Sequence, residues 1–345
     1  MTTFEISLLV GDGIGPELSL CAEDILRHIH DKSARIKFNI AKVEAGDTAK
    51  QKYGKALPPD TFEKIKRSQA CLKSPVGESA ADVVLVLRRF FDLYANVRPS
   101  RNYANVPSIS KNVDLVTVRE NTEDLYLGWE FFSDDDTVIS LRKISRNASK
   151  RIAEHAFKIA DSRKEKKVTI VHKSNVLRLS DRLFIDTTKE VSKKYPNIEF
   201  EEMYVDACSM ELIRYPNRFD TILTTNLFGD IISDEAAQVT GSIGLAPAAN
   251  IGENFAMFEP VHGAAFDIAG KNIANPTSFI LAIKMMFDWL GEKYQDKEML
   301  DLSINIEKSI DELFTKNIKT KDIGGALSTF EFNQKFLSIL NDKGF

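Results

Sequence analysis

Apolar strand-like runs alternate with helically spaced ones along most of this chain, and that order leaves few folds open. Ile6-Ser7-Leu8-Leu9-Val10 reads as a buried strand, and Gly11-Asp12-Gly13-Ile14-Gly15-Pro16 follows as a turn. A helix starts near Pro16, a favoured first position, with Leu18, Cys21, Ala22, Ile25 and Leu26 on one face. The same order recurs at residues 113–118, at 168–171 before 181–194, at 200–205, and at 221–225 before 229–239. Such alternation predicts an α/β architecture with a largely parallel sheet. Residues 276–290 and 302–314 add amphipathic helices, and two segments read as hinges, 95–100 and the Gly/Ala/Pro-rich 241–252.

Composition narrows the function classes. A chain of 345 residues with 43% hydrophobic residues has enough apolar material for two domains. Its 46 basic and 50 acidic residues leave a net charge of −4, with no basic excess to grip nucleic acid. No apolar run approaches the roughly 18 residues of a membrane span. The N-terminus has no basic start or cleavage site, so no secretory signal is expected. Cys21, Cys71 and Cys208 are odd in number and form no CxxC, which fits a reducing, cytoplasmic setting. The runs 134–136 (acidic) and 163–167 (basic) read as solvated loops.

Several groups carry chemistry. Gly11-x-Gly13-x-Gly15 followed by Pro16 is not the dinucleotide spacing GxGxxG, so it reads as a tight backbone turn beside a cleft. Asp230 and Asp234 are four apart and share one helix face. Adjacent carboxylates repel unless a cation sits between them, and oxygen-only ligands favour Mg²⁺ or Mn²⁺; acids at a helix N-terminus are the plainer alternative. Asp206 and Lys173 lie at strand ends, where open α/β sheets present ligand groups. Arg88, Arg98 and Arg119 suit carboxylate binding, since a guanidinium is permanently charged and bidentate. Tyr126 is a candidate proton carrier. In the small-residue loop 258–276, His262 is placed to meet a base and Asp267 a ribose diol.

Together these segments resemble the β-decarboxylating dehydrogenases acting on isopropylmalate, isocitrate, homoisocitrate and tartrate, most closely the archaeal-type isopropylmalate branch. The resemblance rests on Gly11 to Glu17, the Arg88…Arg98-Pro99 segment, Val118-Arg119-Glu120-Asn121-Thr122-Glu123, His172-Lys173-x-Asn175, Tyr204-Val205-Asp206, Gly229 to Asp234, and Glu259-Pro260-Val261-His262-Gly263, all in the family's order. It implies a two-domain α/β fold of isopropylmalate dehydrogenase type with a central, largely parallel sheet, distinct from the standard Rossmann fold. The first domain would comprise 1–93 plus 241–345 and bind cofactor; the inserted second, 94–240, would carry the dimer interface and the substrate and metal residues. A homodimer would share its clefts, with Lys173 and Asp206 lent to the neighbour.

By the same resemblance, Arg88, Arg98 and Arg119 would hold the carboxylates of a malate-like core. Asp230, Asp234 and the neighbour's Asp206 would hold Mg²⁺ or Mn²⁺. Lys173 with Asp206 would help remove the hydroxyl proton, and Tyr126 would return a proton to the enolate. Glu259, His262, Gly263, Asn275 and Asp322 would line the cofactor site. Members that use NADP place Lys and Tyr where Asp267 and Ile268 stand, so NAD is expected. Asp267 would bond the adenosine ribose and repel a 2′-phosphate.

Substrate choice should lie on the helix leading to Arg88, where Val84 and Leu85 share its face. Isocitrate readers carry Ser and Asn where Asp82 and Val84 stand, and homoisocitrate readers an arginine at Leu85. An apolar Val84/Leu85 wall suits an isopropyl group, and Asp82 would repel an extra carboxylate. This favours 3-isopropylmalate and leucine biosynthesis over isocitrate or homoisocitrate, with malate or tartrate last. Bacterial isopropylmalate enzymes have glutamate at Ala81, whereas the archaeal type shares this chain's pattern. A non-catalytic regulatory subunit, the other class weighed, would usually have lost a metal aspartate, the tyrosine or the lysine.

Overall fold

A computed structural model describes residues 2–344. Its strands are β1 (Thr2–Leu9), β2 (Ile36–Val43), β3 (Ala70–Lys73), β4 (Ala95–Arg101), β5 (Asp114–Glu120), β6 (Glu130–Asp134), β7 (Thr137–Ser140), β8 (Lys167–His172), β9 (Glu199–Tyr204), β10 (Thr221–Thr224), β11 (Pro247–Ile251) and β12 (Ala256–Pro260). Its α-helices are α1 (Gly15–Lys32), α2 (Asp47–Tyr53), α3 (Pro59–Arg67), α4 (Ala80–Phe90), α5 (Arg146–Ser162), α6 (Ser180–Ser192), α7 (Val205–Arg214), α8 (Asn226–Thr240), α9 (Thr277–Tyr294), α10 (Lys297–Thr315) and α11 (Thr329–Asp342). Three helices start where a side chain satisfies their orphan amides. Ser145 caps α5, Asp296 caps α10, and Ser328 forms a reciprocal box with Glu331 at α11.

Ten strands form one sheet in the order β2-β1-β3-β12-β11-β4-β5-β10-β8-β9. The predicted α/β class and largely parallel sheet are present: six of the nine pairings are parallel. The three antiparallel pairings all fall at the centre, β12·β11, β11·β4 and β4·β5. Both segments expected to be hinges therefore contain central strands: β4 occupies 95–101, and β11 lies within 241–252. Their prolines obscured this. Pro247 opens β11, and Pro99 lies beyond Val97, the last β4 residue that β11 covers, where a missing N–H is tolerated. The acidic run 134–136 is the exposed tip of the β6–β7 hairpin. In the basic run Arg163 is not solvated, because its guanidinium binds Asp220 and Asp114.

Strand periodicity sorts the two faces of the central sheet. On one face Leu72, Phe258, Ala249, Val97 and Val118 join a hydrophobic cluster with α9 and α5. On the other, cross-strand register aligns Lys73 (β3), Glu259 (β12), Asn250 (β11), Asn96 and Arg98 (β4), and Arg119 (β5). One apolar face and one polar row explain why these strands do not read as uniformly hydrophobic.

The glycine turn after β1 braces the loop that follows β12. Ile14 N donates to the Ala264 carbonyl at 2.8 Å, and Gly11 and Gly13 both have positive φ. A Cβ on Gly13 would stand 2.0 Å from the Ala264 oxygen. Gly13→Ala is expected to cost about 2–3 kcal/mol in urea unfolding; an unchanged midpoint would show that the turn does not clamp this loop.

Candidate active site

The three arginines singled out in the sequence meet on the polar row, and an asparagine aims each of them. Arg88 reaches in from the last turn of α4, and its Nε donates to Asn250 Oδ1 at 3.0 Å. Arg98 Nε donates to Asn96 Oδ1 at 2.7 Å. Arg119 Nε and Nη2 both donate to Asn226 Oδ1, at 2.9 and 2.7 Å. A neutral amide oxygen fixes the guanidinium plane without cancelling its charge, and leaves other N–H groups for a ligand. Asn250 is the hub: its Oδ1 also accepts from Asn96 and Asn121, while its Nδ2 donates to Glu259 at 2.7 Å. Burial, reinforced by Arg98 and Arg88, pushes the Arg119 guanidinium down to about 10. An anion entering here relieves that strain.

The α8 aspartates face these cations. Asp230 pairs with Arg119 and Arg98, and accepts the Tyr126 hydroxyl. Asp234 accepts from Arg98 Nη1 at 3.0 Å. Burial opposes charge on Asp230, but Arg119 and Arg98 overrule it and hold its carboxyl below the usual range. Burial together with the charge of Asp230 pushes Asp234 up despite Arg98. Burial, aided by Asp230, likewise raises the Tyr126 phenol, keeping its proton in place. Among the described residues no three His, Cys, Asp or Glu side chains converge as a metal cage. The α8 pair offers two carboxylates, the hard oxygen donors that suit a divalent ion.

Beside them a cleft of about 270 Å³ opens between Arg88, Arg98 and Tyr126 on one side and Glu259, His262 and Gly263 on the other. Ala80, Ala81, Val84, Leu85, Val76 and Val261 form its apolar wall. Asp82 is not part of this wall: it is exposed and pairs with Lys50 at 3.2 Å. Six residues of helix rotation, about 600°, carry it away from the Arg88 face. It therefore contributes no repulsion inside the cleft.

Glu259 is tied to Lys73 at 2.7 Å, while Arg88 stands 3.6 Å away, and all three are buried. Burial alone would raise the Glu259 carboxyl, yet Lys73 and Arg88 draw it down to about 2. Lys73, Asn96, Asn250 and Asn226 were missed in the sequence. The available signal was a polar residue between apolar strand neighbours, as in Ala95-Asn96-Val97 and Ala249-Asn250-Ile251.

The remaining predicted residues fall in two places. Asn275 donates to Asp322 at 3.0 Å, so these two meet. His262 bonds the Gly263 carbonyl, and burial lowers its imidazole. Asp267 is exposed and its carboxylate pairs with no described side chain, while Ile268 packs partly into the core. Lys173 and Asp206 pair with each other at 2.8 Å, and that bond holds the Asp206 carboxyl below its usual range. They follow β8 and β9, two and three strands beyond Arg119's β5, roughly 10–14 Å along the sheet. Within one chain they make no hydrogen bond or ion pair to the arginine cluster.

A cleft with an excess of positive side chains at the centre of an α/β sheet is suited to a small anionic molecule. The chain belongs to the isocitrate/isopropylmalate dehydrogenase family, whose pattern matches residues 5–336. It is 48% identical to the 3-isopropylmalate dehydrogenase of Saccharolobus solfataricus, covering 94% of this chain and 96% of that one. It is 43% identical to the homoisocitrate dehydrogenase of Methanocaldococcus jannaschii, over 98% of each. The crystal structure of isocitrate dehydrogenase from Methylococcus capsulatus superposes with a TM-score of 0.90 at 37% identity, covering 98% of this chain and 99% of that one. The expected family and fold are thus both present.

The Lys73–Glu259 pair sets a pH-dependent expectation. A glutamate with a folded value near 2 and an unfolded value near 4.5 contributes stability that is complete above about 4.5 and lost as pH falls toward 2. Lys73→Met leaves that carboxylate buried and less compensated, costing about 3 kcal/mol at pH 7. The deficit should narrow as pH falls and the unpaired Glu259 takes up a proton. Urea midpoints at pH 7 and pH 5 check this, and a deficit that does not change with pH would rule it out.

Proposed function

We propose that this cleft oxidises and decarboxylates 3-isopropylmalate with NAD, as a step of leucine biosynthesis. The observation that carries the substrate choice is the wall beside Arg88. Val84, Leu85, Ala81, Val76 and Val261 offer neither cation nor amide to an extra carboxylate, and suit three buried carbons. The 3-isopropylmalate dehydrogenase from Saccharolobus solfataricus lends the same support by likeness.

In this reading Arg88, Arg98 and Arg119, aimed by their asparagines, clamp the two carboxylates and orient the C2 hydrogen. Mg²⁺ or Mn²⁺ on Asp230 and Asp234, with Asp206 of a second copy, supplies Lewis-acid polarisation of the C2 oxygen when bound. Lys173 of that second copy, once freed of its own proton, would take the hydroxyl proton, and bound NAD would supply the acceptor for the C2 hydride. The C3 carboxylate then leaves as CO₂, and its bonding electrons pass into the enolate. Tyr126 donates its proton to C3, and the raised phenol value keeps that proton available until then. Glu259, His262 and Gly263 would line the nicotinamide end of the cofactor, and Asn275, Asp322, Asp267 and Ile268 the adenosine end.

The separation of Lys173 and Asp206 from the cleft of their own chain supports a homodimer. Exposed apolar side chains lie near these residues (Val176, Leu179, Met210, Ile213) and on the β6–β7 hairpin (Trp129, Phe131, Phe132), giving a second copy a surface to cover. We assign the halves of the sheet to the two domains, 1–93 plus 241–345 and 94–240, meeting where β11 pairs with β4. Three buried, unpaired cysteines fit the cytoplasm.

NAD reduction with Mg²⁺ should be compared for 3-isopropylmalate, isocitrate, homoisocitrate and D-malate. Burying the isopropyl group, at about 2 kcal/mol, should favour 3-isopropylmalate over D-malate about thirtyfold in kcat/KM. A higher value for isocitrate or homoisocitrate would overturn the substrate choice. Asp267→Lys with Ile268→Tyr should weaken NAD use about tenfold while raising NADP use; unchanged NAD kinetics would remove Asp267 from the cofactor site.

A further inference from the structure

Arg142 belongs to none of the groups above, yet it touches the supports of three of them. It lies in the stretch between β7 and α5, and its guanidinium spends its donors in three directions. Nε donates to Asp124 Oδ1 at 2.6 Å. Nη1 donates to Asp181 Oδ1 at 2.5 Å and to Ser180 Oγ at 2.9 Å. Nη2 donates to Thr225 Oγ1 at 3.0 Å, and the Phe228 ring lies 5.5 Å from its Cζ.

Each partner leads to a different working residue. Asp124 is two residues before Tyr126, is fully buried, and holds a positive φ of 70°, a conformation that costs a non-glycine residue free energy. Its Oδ2 accepts Leu227 N at 3.1 Å, in the first turn of the helix that carries Asp230. Asp181 is also fully buried, and its Oδ2 accepts the backbone N–H of Lys173 at 2.6 Å. Thr225 is the N-cap position of α8. One planar cation thus ties the Tyr126 turn, the Lys173 backbone and the start of the Asp230 helix.

We infer that Arg142 is a positioning residue that holds Tyr126, Lys173 and the Asp230 helix in one rigid frame. The inference rests on the proposed reaction for the roles of those residues, and adds a consequence to it. Tyr126 and Asp230 serve the cleft of their own chain while Lys173 serves its neighbour's, so the frame mechanically joins the two sites of a dimer. A lysine in its place cannot reproduce the fork, because three donors on one nitrogen do not reach three separated acceptors at fixed angles.

The test compares the intact wild-type protein with Arg142→Met and Arg142→Lys. Amide hydrogen exchange without substrate reads the frame itself. In Arg142→Met the amides of Lys173 and Leu227 should exchange at least tenfold faster together, with α9 unchanged. In turnover kcat should fall about 100-fold, the cost of roughly 1 Å of misplacement, with KM for the hydroxy acid within about threefold. Arg142→Lys should fall between the two in both measurements. Acceleration at only one of the two amides, equal acceleration throughout the protein, or a raised KM with unchanged kcat would overturn the frame. Should wild-type protein not oxidise 3-isopropylmalate, the substrate choice fails, and the exchange measurement still decides the frame by itself.

Discussion

A run of positive charge is held inside a sheet whose other face is hydrocarbon, and most of the site follows from how that charge is tolerated. Arg88, Arg98, Arg119 and Lys73 are all nearly or fully buried. Burying a charge without partners is prohibitive, and complete neutralisation would leave nothing to attract a substrate anion. The compromise is selective. Glu259 takes Lys73, Asp230 and Asp234 take the inner arginine edges, and neutral asparagine oxygens take the Nε atoms. The arginines remain oriented and only partly compensated, which leaves donors free for the carboxylates of the proposed substrate.

That network crosses the centre of the sheet, where the strands change direction. The parallel outer strands are stitched by helical crossovers, which bring strand ends, and the residues following them, to one edge. The central antiparallel strands instead lay residues side by side, so that Asn250 faces Asn96 and Asn96 faces Arg119 in register. Opposed side chains in adjacent strands stand close enough to bond, and the row continues across the parallel β3·β12 pairing, where Lys73 meets Glu259. The glycine turn after β1 and the clamp at Arg142 do comparable work at the periphery, fixing loops whose own contacts are few.

Much of the site was legible beforehand. Asp230 and Asp234 were readable because a spacing of four places both on one helix face, and Val84, Leu85 and Arg88 because three and four residues do the same. Lys73 and the asparagines were not, because each is a single polar residue whose meaning depends on a partner dozens of residues away. Asp82 illustrates the converse: two residues before Val84, it is directed by helix rotation to Lys50 instead of the cleft. The central strands β4 and β11 were hidden by proline and glycine, whose local preference for turns was overridden by cross-strand pairing.

By itself the chain determined its alternating α/β order, its helix faces, and the set of acids, arginines, tyrosine and lysine that define its family, because these depend on short-range periodicity and residue chemistry. Only the tertiary structure decided which cations remain available, which carboxylate each one meets, and that Lys173 and Asp206 lie two and three strands beyond that of Arg119. Those outcomes depend on strand order and register, and contacts between segments a hundred residues apart leave no periodic trace along the chain.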